Sequence, residues 1–201
     1  MKKALVASLL GIALNVASSY GQGYIVMENY KVVGVTPVFS GVTYGAGSGA
    51  KTGQFVGAAQ GWKADLLFSL DGGTTFNLAA GSQTAFFGTS NDGGTPTTDG
   101  AGSFLGGNIT IPGYTSGTVK FIVEAFNGAN YAASAGKGQS AVFTINSLQT
   151  STLVTPDDIL QLNGGTTPTG LQSFTVAVPE PTVFALAGIG AAALMIVRRK
   201  K

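Results

Sequence analysis

The carboxylates are the first side chains to consider for acid–base chemistry in this chain, since the 201 residues include no Cys and no His. Catalysis by a Ser-His-Asp or Cys-His set is therefore excluded, as is any metal site that needs histidine or cysteine ligands. A glycosidase needs only two carboxylates held at a fixed separation. Eight acids lie between residues 21 and 178: Glu28, Asp65, Asp71, Asp92, Asp99, Glu124, Asp157 and Asp158.

Most of these acids have a structural interpretation. Asp71, Asp92 and Asp99 stand beside or near glycines in predicted turns, and Asp157 and Asp158 begin a predicted helix. Oxygen atoms around Asp92 and Asp99 could hold calcium, but the spacing of an EF-hand is absent. We therefore predict no catalytic residue, no metal site and no cofactor, and expect that the protein is not an enzyme.

A glycine-rich stretch at residues 45–52 looks at first like a phosphate-binding loop. It reads Gly-Ala-Gly-Ser-Gly-Ala-Lys-Thr, whereas a Walker A loop requires glycine directly before the lysine. Ala50 stands at that position, and the flanks do not predict the strand and helix that such a loop joins. The stretch is predicted to be a flexible loop.

Three aromatic residues, Tyr44, Trp62 and Tyr114, are the candidates for a sugar-binding platform. Such a platform needs exposed rings, because sugars stack on their flat faces. Trp62 begins a segment of alternating apolar residues, which instead favours a place in the core. Carbohydrate binding through these three residues is therefore the alternative function and not the first one.

Short segments in which apolar and polar residues alternate are typical of half-buried strands. The clearest are residues 62–70 and 118–126, and Asp71-Gly72-Gly73 predicts a hairpin turn that leads to a partner strand at 74–78. Further predicted strands are 24–27, 31–39, 83–88, 104–111, 139–145 and 172–178. This pattern predicts an all-β fold over residues 22–177, a single antiparallel β-sandwich with a jelly roll as the alternative.

One segment of the body, residues 155–162, predicts a short helix. Thr155 can cap its N-terminus, Pro156 suits its first turn, and two acids follow. Ile159 and Leu160 would then supply an apolar side.

The N-terminus has the three parts of a secretory signal peptide, which we place at residues 1–21. Lys2 and Lys3 form the basic part, residues 4–16 are apolar, and small residues follow at 17–19. Cleavage after Ser19 or after Gly21 fits the small-residue rule. The Sec translocon and signal peptidase are therefore predicted partners.

The C-terminus, residues 178–201, combines a Pro-rich motif, an apolar run and a basic end. The motif is Val178-Pro179-Glu180-Pro181, and the uncharged run 182–197 follows it. As a helix this run would span roughly 24 Å, so we predict a short transmembrane helix. The basic end, Arg198-Arg199-Lys200-Lys201, favours the cytoplasmic side and places the body outside.

These C-terminal residues resemble the PEP-CTERM sorting signal, which Gram-negative bacteria that make exopolysaccharide use on exported proteins. The resemblance rests on residues 178–181, the apolar run after them and the terminal cations, in that order and at the end of the chain. It implies an exosortase-type membrane enzyme as a partner that acts near Pro179-Glu180-Pro181. It does not imply an activity for the exported body.

The charge of the body excludes one class of partner. The whole chain is +2, but the segment between the two targeting ends has five lysines and eight acids, a net charge of −3. A body without a basic patch is not expected to bind nucleic acid. We therefore predict an exported, non-catalytic protein that passes through an inner-membrane-anchored intermediate to the cell surface or extracellular matrix, with exopolysaccharide as a further candidate partner.

Overall fold

The computed structural model describes residues 21–88, 99–162 and 164–179, and the regular elements in that part are strands and two 3-10 turns. The predicted signal peptide up to residue 20, the loop 89–98 and the tail from Glu180 onward lie outside the described residues. The 3-10 turns are Gly49–Lys51 and Ala58–Gln60. The strands are β1 Gln22–Glu28, β2 Tyr30–Val33, β3 Thr36–Phe39, β4 Val42–Tyr44, β5 Lys63–Ser69, β6 Asn77–Leu78, β7 Thr84–Ala85, β8 Leu105–Pro112, β9 Val119–Phe126, β10 Lys137–Gln139, β11 Phe143–Ile145 and β12 Phe174–Val176.

The centre of the fold is a six-stranded sheet built on β5 and β9, which pair antiparallel over seven residues from Lys63 to Ser69. β10 and β11 pair with successive parts of the outer edge of β9, and β7 and β6 pair with successive parts of the outer edge of β5. Both central strands were predicted from their alternation of apolar and polar residues. That prediction is confirmed, because the strand bounds agree to within two residues.

The turn after β5 is stabilised by the Asp71 side chain. Asp71 Oδ1 accepts hydrogen bonds from Ser69 Oγ at 2.6 Å and from the backbone N–H groups of Thr74 and Thr75 at 3.0 Å each. Gly72 and Gly73 have φ values of 77° and 95°, a conformation that glycine adopts without steric cost. The predicted hairpin and its turn are therefore confirmed.

A second layer of apolar residues comes from β1 and β8, which pair antiparallel. Ile25 and Ile111 of this pair belong to the same hydrophobic cluster as Leu66 and Phe121 of the central sheet. Asn29, which follows β1 and is fully buried, ties this layer to its neighbours. Its amide donates to the carbonyls of Ser40 and Gly102, and its Oδ1 accepts from the backbone N–H of Phe104 at 2.7 Å.

The last strand of the body is not antiparallel. β12 pairs parallel with β4, a strand that lies directly before the glycine-rich stretch 45–52 and that was not among the predicted strands. The prediction of an all-β fold is confirmed for the described residues, whereas a purely antiparallel arrangement is wrong at this pair. The strands form one six-stranded and three two-stranded ladders, and the sandwich and the jelly roll both stay predictions.

The predicted helix at residues 155–162 is wrong. Residues 155–158 run beside β1 without helical structure, and a turn follows at 159–160. The N–H of Val26 donates to Asp157 O at 2.9 Å, and the carbonyl of Val26 accepts from the N–H of Ile159 at 3.0 Å. Ile159 and Leu160 are fully buried in this position. A helix of two turns is costly to nucleate, so the hydrogen bonds and burial gained beside β1 outweigh the local helix signals.

Candidate functional site

The described chain leaves the body at the end of β12, where the predicted sorting motif begins. Gly45 N donates to Val176 O at 2.7 Å on one side of this strand. On the other side, Ala177 and Lys137 exchange two backbone hydrogen bonds of 3.0 Å each. The strand is therefore bonded to neighbours on both sides, and the residue before Val178 is fixed to the edge of the central sheet.

The first motif residue is also held by the body. Val178 N donates to Ser48 Oγ at 3.3 Å, and its side chain packs against the main hydrophobic cluster. A Cβ on Gly138 would lie 2.3 Å from Thr175 O, so only glycine fits beside the strand at that position. The body and the motif are thus joined without an intervening linker.

A cleft of about 330 Å³ lies where Val178 and Pro179 emerge. Its walls come from the glycine-rich stretch and from the turn after β9, and include Tyr44, Ser48, Lys51, Gln60 and Asn127. The other predicted sorting residues, namely Glu180, Pro181 and the basic end at 198–201, lie outside the described residues, as does the predicted transmembrane helix 182–197. Within the described ranges, no helix has both the length and the apolar composition needed to cross a membrane.

The glycine-rich stretch does not have the architecture of a phosphate loop. β4 ends at Tyr44, directly before it, but only the 3-10 turn Gly49–Lys51 follows. A phosphate loop needs a longer helix whose N-terminus faces the ligand. The stretch instead contributes to holding β12 and Val178.

The three aromatic residues predicted as a sugar platform are buried. Trp62 is 1 % exposed, Tyr44 4 % and Tyr114 3 %. Trp62 Nε1 donates to Tyr44 Oη at 2.8 Å, and the two rings meet edge to face with centroids 5.6 Å apart. Tyr114 Oη accepts from Leu148 N at 2.9 Å and donates to Gly117 O at 3.0 Å. The three rings therefore belong to the core, and none presents an exposed flat face to a sugar.

One group of charged residues joins β1, β2 and the segment after residue 155. Lys31 Nζ lies 2.6 Å from Asp158 Oδ2 and 3.7 Å from Glu28 Oε1. Asp158 Oδ1 also accepts from Gln161 N at 2.8 Å. The hydrogen bond to Asp158 raises the pKa of Lys31, while burial raises the pKa of the Glu28 carboxyl despite the nearby cation. A cleft of about 510 Å³ lies beside this group, between the β2–β3 hairpin and residues 157–165.

A second pair of acids lies on the outer face of the central sheet. The register of β5 and β9 places Asp65 directly opposite Glu124. This pair is not evident from the sequence, because each acid alone fits the polar phase of an alternating strand. The alternation of polar and apolar residues in the two strands could have revealed the pair. It places both acids on the polar face of the sheet once the strands are paired.

Two of the remaining acids, Asp71 and Asp99, serve turns. Asp71 bonds within its hairpin, and the hydrogen bond from Ser69 is the main cause that lowers the pKa of its carboxyl far below the usual range. Asp99 Oδ1 accepts from Ala101 N at 3.1 Å, and Asp92, its predicted partner for calcium, lies outside the described residues. In the described ranges, no group of three or more acidic, histidine or cysteine side chains is placed to hold a metal ion.

Comparison with known families finds the PEP-CTERM protein-sorting motif at residues 177–200. The resemblance predicted from the C-terminal residues is therefore confirmed, and the chain carries the sorting signal of an exosortase substrate. The motif implies export, processing by an exosortase-type membrane enzyme and membrane-associated sorting before release at the surface. No curated protein and no solved structure matches the chain.

Proposed function

We propose that this chain is a non-catalytic protein of the cell surface or extracellular matrix in a bacterium that makes exopolysaccharide. The support is the sorting motif at residues 177–200 together with the signal-peptide pattern at residues 1–21. In this scheme the Sec translocon exports the chain and signal peptidase removes its N-terminus. The C-terminal helix 182–197 then holds the chain in the inner membrane until processing.

The observation that carries the proposal is the direct attachment of the motif to the body. Because Val178 is bonded to Ser48 and β12 is bonded on both edges, the all-β body is the cargo that the sorting signal moves. A body attached in this way travels as one folded unit with its signal. Its low charge and lack of histidine and cysteine favour a structural or adhesive role over a catalytic one.

Carbohydrate binding was the alternative function, and the burial of Tyr44, Trp62 and Tyr114 removes its expected platform. We therefore do not advance these residues as ligand-binding residues. Exopolysaccharide remains a proposed partner of the body as a matrix component.

The sorting role is tested by Glu180→Ala, expressed in the producing cell and followed by cell fractionation and intact-mass measurement. We expect the variant to accumulate in the membrane fraction with its C-terminal segment still attached. The physical reason is that the processing enzyme loses the charged residue between the two prolines of its motif.

Thr166→Ala is the matched control, since it removes a polar side chain from an exposed loop of the body. It should be sorted and processed like the unmodified chain. If Glu180→Ala and the unmodified chain had the same location and the same mass, the proposed role of the motif would be refuted.

A further inference from the structure

The outer face of the central sheet carries a row of four polar side chains on adjacent segments. Asp65 lies opposite Glu124, and Glu124 lies opposite Gln139 on β10. Gln139 Nε2 donates to Glu124 Oε1 at 2.7 Å. At the other end, the pairing of β7 with β5 brings Gln83 beside Asp65, whose carboxyl it contacts by a hydrogen bond. The row therefore consists of two carboxylates flanked by two amides.

One oxygen atom in this row lacks a partner. Asp65 is 5 % exposed, and its buried Oδ1 accepts no hydrogen bond from the described residues. Burial raises the pKa of both the Asp65 and the Glu124 carboxyls, and the charge of Asp65 raises that of Glu124 further. Because directly opposite residues of an antiparallel pair have Cβ atoms only about 5 Å apart, the two like charges repel each other.

Two lysines lie on the same face of the sheet but are not part of the row. Each lies two residues along its strand from a member of the row: Lys63 from Asp65, and Lys137 from Gln139. Lys63 and Lys137 both pair with Phe126 across the sheet. Lys137 Nζ donates to the carbonyls of Tyr131 and Ala132 at 3.2 Å each. The ion pairs within 4.0 Å in the described residues are both made by Lys31, so Lys63 attracts Asp65, and Lys137 attracts Glu124, only from a longer distance.

We propose that Asp65 and Glu124 bind a hard divalent cation on the outer face of the sheet, with calcium as the best match. The donors are all oxygen atoms, and calcium takes six to eight oxygen ligands from carboxylates, amide carbonyls and water. The two carboxylates supply a charge of −2 that cancels the charge of the cation. Gln83 and Gln139 are exposed, so their amide oxygens can turn toward the cation without disturbing the core.

The affinity follows from the small number of charged ligands. A site with two carboxylates and two amides should bind calcium with a dissociation constant of roughly 10⁻⁴–10⁻³ M, the range of extracellular modules. Such a site is filled outside the cell and empty in the cytoplasm. The site would therefore stabilise the sheet only after export. Calcium binding at this site does not depend on how the C-terminal tail is processed.

The test uses the full chain in a neutral detergent, with terbium as the luminescent probe and calcium as the competitor. We expect terbium luminescence excited through the aromatic residues, and its displacement by calcium. Calcium chloride at a tenfold excess over the dissociation constant should raise the midpoint of thermal unfolding by about 3–6 °C, compared with sodium chloride at equal ionic strength.

Asp65→Asn and Glu124→Gln keep the shape of each side chain and remove one charge. Each should weaken calcium binding at least tenfold and abolish the thermal shift. Asp157→Asn, an exposed acid outside the row, is the matched control and should retain both signals. The proposal is overturned if calcium displaces no terbium from the unmodified chain, or if Asp65→Asn and Glu124→Gln bind calcium as well as the control. If one of the two variants does not fold, the other variant is compared with the control and decides the matter.

Discussion

Asp158 and Asp65 are both buried carboxylates beside a second acid, 7 % and 5 % exposed, but their surroundings differ. Asp158 shares Lys31 with Glu28 and accepts a backbone hydrogen bond from Gln161. Asp65 faces Glu124 and has an oxygen atom without a donor. The first group has a lysine in contact with both acids and keeps a net charge of −1, whereas the second has no lysine in contact and includes a carboxylate oxygen without a donor.

This difference distinguishes Asp158, which has a structural role, from Asp65, which is a candidate ligand-binding residue. Lys31 connects β2 to the segment after residue 155, so the Glu28–Lys31–Asp158 group fixes the position of two elements that are 127 residues apart in sequence. The Asp65–Glu124 pair connects β5 and β9, which already share seven paired residues and need no further tie. Two like charges on opposite residues, which Lys63 and Lys137 attract only from a longer distance, cost stability in the apo protein, and such a cost is expected where a ligand is bound.

The largest effect is expected when the Glu28–Lys31–Asp158 group loses its lysine. Lys31→Met keeps the aliphatic stem but leaves Asp158 buried without a counter-charge. We expect the free energy of unfolding to fall by about 1–3 kcal/mol, less than for a fully buried pair because the Lys31 side chain is 46 % exposed. Urea unfolding at neutral pH measures this change.

Lys120→Met is the control for Lys31→Met, since it removes the same charge from β9, where no carboxylate of the described residues pairs with it. It should change the free energy of unfolding by less than about 0.5 kcal/mol. An equal loss of unfolding free energy in both variants would mean that the Lys31–Asp158 contact does not stabilise the fold.

A smaller effect, of opposite sign, is expected at the second pair. In the presence of a chelator, Asp65→Asn should raise the free energy of unfolding by roughly 0.2–1 kcal/mol, because it removes a like charge directly opposite Glu124. Asp158→Asn, the same chemical change in the Glu28–Lys31–Asp158 group, should lower the free energy of unfolding. The comparison fails if the two substitutions shift urea unfolding in the same direction.

The smallest effect concerns Asp71, an exposed acid that bonds only within its own turn. Its pKa is lowered in the folded state, so its contribution to stability is present above its ordinary value of 3.8 and is lost as the pH falls through the folded pKa. Asp71→Asn should therefore be less stable than the unmodified chain at neutral pH, and the gap should narrow progressively in acid. Unfolding curves at several acid pH values measure the gap, and a gap that stays constant would contradict this account.

The sequence predicted the parts of the fold that depend on local pattern. Alternation located β5 and β9, and Asp71-Gly72-Gly73 located their adjoining turn, because side-chain phase and turn conformation are set by neighbouring residues. The tail was identified from its sequence alone, since a sorting signal is recognised by residue type and order. The absence of histidine and cysteine is a property of composition, and it limits the available chemistry whatever the fold.

Where local signals competed with distant partners, prediction failed. Residues 155–162 have good helix-start signals but bond to β1 through Asp157 and Ile159, and β4, which no local pattern predicted, pairs with β12. Trp62 could be assigned to the core from its strand, but the hydrogen bond that satisfies its indole comes from Tyr44, 18 residues earlier. These outcomes depend on which strand edges meet, and local propensity carries no information about that.

The sequence by itself determined that this chain is exported, bears a PEP-CTERM sorting signal and has a β-rich body without histidine or cysteine. The tertiary structure decided that the sorting motif begins against the body, that three candidate ligand-binding aromatics are buried, and that Asp65 meets Glu124. The physical reason is that residue order is enough for a targeting signal and for strand phase, whereas strand register is chosen by the burial and hydrogen bonding of the whole sheet.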